Sequence, residues 1–246
     1  MNSWAPSADK YAGGGGVQNA RILDIGAGRG AVSDSGWAHI ECPCDLPEVP
    51  VLPETLLLIE LKAQERCVDL REITLLVMED IGAVLQIFRR AALEYPSRED
   101  RPTRIEDCIS GLGLQSCVET LSSATVPLGS AEVIETWRHA KEIGRRCRQL
   151  AAAMAVTSPD EAYLAGLFHQ LPSLPLIFGS EAPAQDSNVA ALTGLRMAEA
   201  WSLPPCVQDY FSELQNPSNG QRWSALVQRA HEMAKSPSTE CSIIEI

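Results

Sequence analysis

Apolar residues recur at intervals of three and four along almost the whole chain from Pro53 onward, and this period is the strongest constraint on its fold. The clearest run lies within 130–155, where Trp137, Ala140, Gly144, Cys147, Ala151 and Met154 share one helix face. The same reading predicts helices over roughly 54–65, 69–79, 81–93, 103–110, 114–124, 130–155, 158–170, 187–201, 204–214 and 221–235. Strands would need runs of alternating β-branched or aromatic residues. No comparable run occurs, and aromatics make up only 5% of the chain. Residues 53–235 therefore predict an all-α bundle of about ten helices, without internal repeats.

Three predicted helix starts carry a capping box, in which an N-cap side chain and a glutamate three residues on satisfy each other's backbone donors. These pair Asp69 with Glu72, Thr103 with Glu106 and Ser158 with Glu161. The last also has Pro159 at the first helical position, where a missing N–H does no harm. Residues 1–20 are rich in Gly, Ser and Ala and read as a mobile leader; the chain then passes through the proline-punctuated stretch CPCDLPEVPVLP. The expected organisation is a flexible or irregular Gly/Pro-rich segment over 1–45, a helical domain over 46–236 and a tail over 237–246.

The chain carries 32 acidic against 20 basic residues, a net charge of -12. Nucleic acid and anionic membranes both call for a basic face, so neither is an expected partner. Arg145, Arg146 and Arg148 form a local basic patch, read as a solvated helix face. No apolar run approaches the roughly 20 residues of a membrane-spanning helix, and the first residues lack the basic-then-apolar order of a signal peptide. A cytoplasmic protein is expected, with its eight cysteines reduced. Cys42 and Cys44 form one close pair, but a zinc site of that kind needs a second pair. Neither a Gly-x-Ser-x-Gly nucleophile motif nor a phosphate-binding Gly-x-x-x-x-Gly-Lys loop occurs.

The stretch RILDIGAGRG (21–30) looks like the first motif of S-adenosylmethionine-dependent methyltransferases. Glycines let a backbone approach a nucleotide cofactor, which would make Asp24, Gly26, Gly28 and Gly30 the cofactor-binding candidates, with Glu41 or Asp45 for the ribose. That fold needs strands alternating with helices throughout, whereas this chain turns helical after one possible strand. No cofactor is therefore expected, and S-adenosylmethionine binding stays as the lesser alternative to a glycine-rich turn.

A broader resemblance covers about 46–235. Leu46-Pro47 and Leu52-Pro53 open it, Asp80 marks a helix junction, and Leu112-Gly113 precedes a new helix. Trp137-Arg138-His139-Ala140, then DEAYLAGLFHQL (160–171), then Gly194 through Trp201 with Leu203-Pro204, and finally WSALVQRAHEMA (223–234) follow in order. In order and spacing these segments resemble the HDOD family, all-helical relatives of the HD-type metal phosphohydrolases. The resemblance implies an HD-like helical bundle and a role in cytoplasmic bacterial signalling, often beside response-regulator or cyclic-di-GMP domains. The expected partner is a signalling protein in trans, and the expected mechanism is helix-bundle docking in a groove between the helices of 53–93 and those of 130–235.

Departures from the pattern bear on chemistry. Gln170 stands where His-Asp would place its aspartate, Ala190 where a histidine is expected, and Glu213 and Leu214 near a usual histidine pair. His231 lies where an HD enzyme would carry its final aspartate. The resemblance would bring His139, His169 and His231 toward one cavity, a vestigial HD site with Gln170 beside it. Three imidazoles can bind one zinc or iron, but the carboxylate that would bridge two metals is gone. Residue by residue there are plainer readings. His139 flanks the 130–155 apolar face beside Ile143 and Leu150, bonded to backbone or to a carboxylate; His169 satisfies a carbonyl at a helix end; His231 is exposed among Arg229, Glu232 and Lys235. The leading expectation is a non-catalytic regulatory protein without a metal. The runner-up is an HD-like phosphohydrolase with a histidine-only metal site.

Overall fold

Aspartate, proline and paired apolar residues set the helix boundaries of this chain. Its computed structural model describes residues 46–124, 131–155, 157–178 and 187–235. The glycine motif with Asp24, Gly26, Gly28 and Gly30, the Cys42–Cys44 pair and the tail over 237–246 lie outside the described residues. Among the described residues the regular structure is helical, as the period predicts.

Five helices form the first half: α1 (Pro53–Ala63), α2 (Leu70–Met78), α3 (Ile81–Glu94), α4 (Ile105–Leu112) and α5 (Leu114–Ser122). Helix α3 lies at its centre, packed on α4 and α5, and buries Val84, Leu85, Ile87, Phe88 and Ala91. The second half is built on the long α6 (Ala131–Met154), which packs against α7 (Pro159–Leu167). After α7 come a 3-10 turn at Leu171–Ser173 and the short α8 (Leu174–Ile177), then α9 (Ser187–Ala200), α10 (Pro205–Gln215) and α11 (Arg222–Lys235). Helix α10 packs on α9 and α7, and α11 packs back on α6.

The α6 face is buried as its spacing requires, from Val133 through Trp137, Ala140, Gly144 and Cys147 to Ala151. Met154 is the exception at 48% exposed, because it sits in the last turn of α6. The helix expected to run to residue 170 stops at Leu167; Pro172 and Pro175 then enforce two short turns in LPSLPLI.

Capping differs from the sequence expectation in a consistent way. Asp69 caps α2 by accepting from the Arg71 N–H at 2.8 Å, but Glu72 reaches Lys62 at 2.7 Å rather than closing the box. Helix α4 begins one residue later than a Thr103 cap would require, with Arg104 as N-cap and no capping side chain. The Arg104 guanidinium instead reaches Asp160, 3.3 Å away. Ser158 occupies the N-cap of α7 without a side-chain bond, and Glu161 accepts from the Thr157 hydroxyl. In the first of the three cases an ion pair with another element takes the glutamate that local reasoning would have kept at the cap, whereas Glu106 stays near its own helix start, 3.8 Å from Arg104.

Asp80 is the polar centre of the seam between the halves. It caps α3 by accepting from the N–H groups of Gly82 and Ala83. Its other contacts are long-range: it accepts from the Leu52 N–H at 2.6 Å and from the Trp137 Nε1–H of α6 at 2.8 Å. Burial pushes its carboxyl above the ordinary aspartate range, and the four N–H donors pull the other way. Nearby, the Tyr163 hydroxyl donates to the Met78 carbonyl, tying α7 to the end of α2.

Candidate functional site

The site forms where α6 and α7 come closest. Each helix places a glycine at the crossing: a Cβ on Gly166 would lie 2.8 Å from the Gly144 Cα and 2.9 Å from the Cys147 Sγ. Backbone contact at this point lets the residue just past α7 meet one further back on α6. His169 follows α7 by two positions, and His139 lies on α6 beside Ala140. The third member, His231, comes from α11, which packs against both.

Ring centroids are 5.3 Å apart for His139 and His169, 5.2 Å for His139 and His231, and 4.8 Å for His169 and His231. One ring nitrogen from each lies within 4.8 Å of the other two. The tautomer of His169 follows from its partner. Its Nδ1 is 2.7 Å from the Gly166 carbonyl oxygen, which can only accept, so Nδ1 carries the proton. The lone pair then sits on Nε2, an atom shielded from solvent and without a hydrogen-bond partner. Burial pushes the His169 pKa down to about 3, with His231 and His139 adding to the effect against the pull of the Gly166 carbonyl. Burial also lowers the pKa of His231, as do His139 and Lys235.

The sequence named all three histidines, and the structure brings them together. It differs on two plainer expectations. His231 is half-buried and turned inward rather than exposed, because α11 folds back over α6. His139, expected at the core boundary with a bond to backbone or a carboxylate, faces two other imidazoles. The expectation that His169 satisfies a carbonyl holds. Gln170, beside it, uses its backbone carbonyl to accept from the Ser173 N–H and start the 3-10 turn.

Sequence reasoning missed what positions α11. Glu213 of α10 accepts from the Trp223 N–H, the Ser224 N–H and the Ser224 hydroxyl, at 2.9, 2.9 and 3.0 Å, and so caps the next helix. A residue that read only as a missing histidine is the anchor for the helix that carries His231.

A second feature lies on the seam. A cleft of about 320 Å³ opens between α2, the start of α4, α6 and α7, lined by Leu75, Met78, Arg104, Arg148 and Asp160 among others. Arg104 and Arg148 both pair with Asp160, so its charges are largely matched within the chain. Among the described residues no helix is long and apolar enough to cross a membrane.

A family model described as the HDOD domain matches residues 49–190. Two crystal structures of the MmoQ response regulator from Methylococcus capsulatus str. Bath are similar in fold. One matches with a TM-score of 0.61 at 19% identity, over 77% of this chain and 89% of that one. The other, a fragment of the same protein, gives 0.57 at 19% identity over 78% and 87%. No curated protein matches.

Proposed function

The chain belongs to the HDOD domain family, and from that premise we propose that it is a non-catalytic regulatory module of bacterial cytoplasmic signalling that works by docking another protein. The observation that carries this reading is the donor set: Gln170 in place of the aspartate, beside three histidines whose group contains no carboxylate among the described residues. Phosphohydrolysis on two metals needs anionic oxygens to bridge them and hold the nucleophile, and an uncharged amide is a poor substitute. The likeness in fold to a protein named as a response regulator supports the signalling half of the reading.

The cleft on the seam supports docking. It lies between the N-terminal helices and those built on α6, and Leu75 at its edge is 58% exposed. With a net charge of -12, the chain favours a basic partner, whose encounter slows as salt rises.

Two measurements test this. Incubated with manganese, magnesium or zinc, the protein turns over neither cyclic di-GMP nor p-nitrophenyl phosphate. Turnover that disappears in His169→Ala would overturn the reading in favour of a histidine-only hydrolase. Used as bait in a bacterial lysate, Leu75→Glu recovers at least tenfold less of the protein that copurifies with the parent chain, at unchanged thermal stability. Equal recovery would remove the cleft as the docking surface.

A further inference from the structure

We propose that His139, His169 and His231 form a mononuclear site for a borderline divalent transition metal, with zinc(II) as the best fit, that ties the last helix to the core. Nothing in this proposal depends on the signalling reading. Its first support is convergence: three nitrogen donors arrive from α6, from the segment after α7 and from α11, within 4.8 Å of one another.

The second support is the state of His169. Metal-ligating histidines as a rule donate their other ring N–H to a carbonyl or carboxylate, which fixes the tautomer and aims the free nitrogen. The Nδ1–H of His169 does this toward Gly166 at 2.7 Å. The remaining Nε2 is shielded from solvent and has no hydrogen-bond partner. Buried polar atoms without partners are rare in folded proteins, and each calls for an explanation. A metal ion at the centre of the three rings supplies one.

Distances set what must move. With zinc–nitrogen bonds of about 2.0–2.1 Å in a tetrahedral arrangement, ligand nitrogens sit about 3.4 Å apart. With all three nitrogens within 4.8 Å of one another, closing takes at most about 1.4 Å per pair, within reach of χ rotations of the imidazoles. The donor chemistry sets which metal fits. Neutral imidazoles suit zinc, copper and nickel, whereas magnesium and calcium require oxygen. Lys235, one turn beyond His231, opposes a cation, but it is exposed and screened by solvent. Three protein ligands leave a fourth position for water. No reaction is assigned to the site.

The test uses the full chain with Cys42→Ser and Cys44→Ser, so that the one close thiol pair cannot bind metal. The protein is stripped with chelator, dialysed and titrated with cobalt(II), zinc(II) or magnesium(II). One equivalent of cobalt is expected to give visible d–d bands that zinc displaces. Zinc raises the melting temperature and magnesium leaves it unchanged. His231→Ala weakens cobalt binding at least tenfold with unchanged circular dichroism, and Cys67→Ser leaves binding intact. Should His231→Ala fail to fold, His231→Gln carries the same expectation. The absence of saturable cobalt binding overturns the proposal, and so does binding that survives loss of His139 or His231.

Discussion

Asp80 shows how one residue can serve two parts of a fold. It ends the α2–α3 turn, and it also holds the Leu52 backbone and the Trp137 indole, 28 and 57 positions away. All four of its partners donate, so both oxygens must accept. Asp80→Asn puts an NH2 group where an accepting oxygen stood, opposite a buried donor. The expected loss of stability is about 2–3 kcal/mol by urea denaturation, with the Trp137 emission shifted. A loss below about 0.5 kcal/mol would mean the network is dispensable. The sequence marked Asp80 as a junction aspartate, since capping is local. Its reach to Trp137 was not legible, because nothing in the order of residues says which distant N–H will face it. The histidines divide in the same way. Their identity and their common cavity could be read through the family pattern, but the inward turn of His231 depends on α11 being held by Glu213.

Among the helices, existence was the most legible property and termination the least. Every helix expected from the apolar period is present within a few residues of its range, while LPSLPLI hid the short α8. The end of α9 shows why stops are hard to read. The Leu203 N–H donates to the Ala198 carbonyl at 2.8 Å and the Ser202 N–H to Glu199 at 3.0 Å, the paired bonds of a Schellman turn. The residue that turns the corner is Ser202, with φ at 58°, a position that usually falls to glycine. Ser202→Gly is therefore expected to raise stability by up to about 1 kcal/mol, and Ser202→Val to lower it by more than that. Reversed signs in a denaturation series would show that the serine side chain makes a compensating contact.

Across the whole molecule, charge joins what the seam packs. Glu79, at the end of α2, pairs with Lys141 at 2.9 Å and Arg145 at 2.7 Å on α6. Burial pushes the Glu79 carboxyl upward, but the two cations prevail and hold it below its ordinary value of 4.5. The folded state thus prefers the ionised form more than the unfolded chain does. That contribution is full well above pH 4.5 and fades as the pH falls through the depressed folded value. The group is half-exposed, so Glu79→Gln is expected to cost only about 0.5–1 kcal/mol at neutral pH. The gap between parent and variant should narrow as the pH falls from 4.5 through the depressed folded value, where the folded carboxyl also takes up its proton. A gap independent of pH would assign the loss to packing instead.

The glycine pair at the α6–α7 crossing has one more consequence. A contact cushioned by side chains behaves like a spring, yielding as rotamers shift and neighbours repack. Gly144 and Gly166 meet almost backbone to backbone, with no room even for a methyl group, so their contact behaves like a mechanical stop. His139 and His169 hang from that stop by five and three residues, so substitutions elsewhere in the core can soften the fold without changing how far apart those two rings are held.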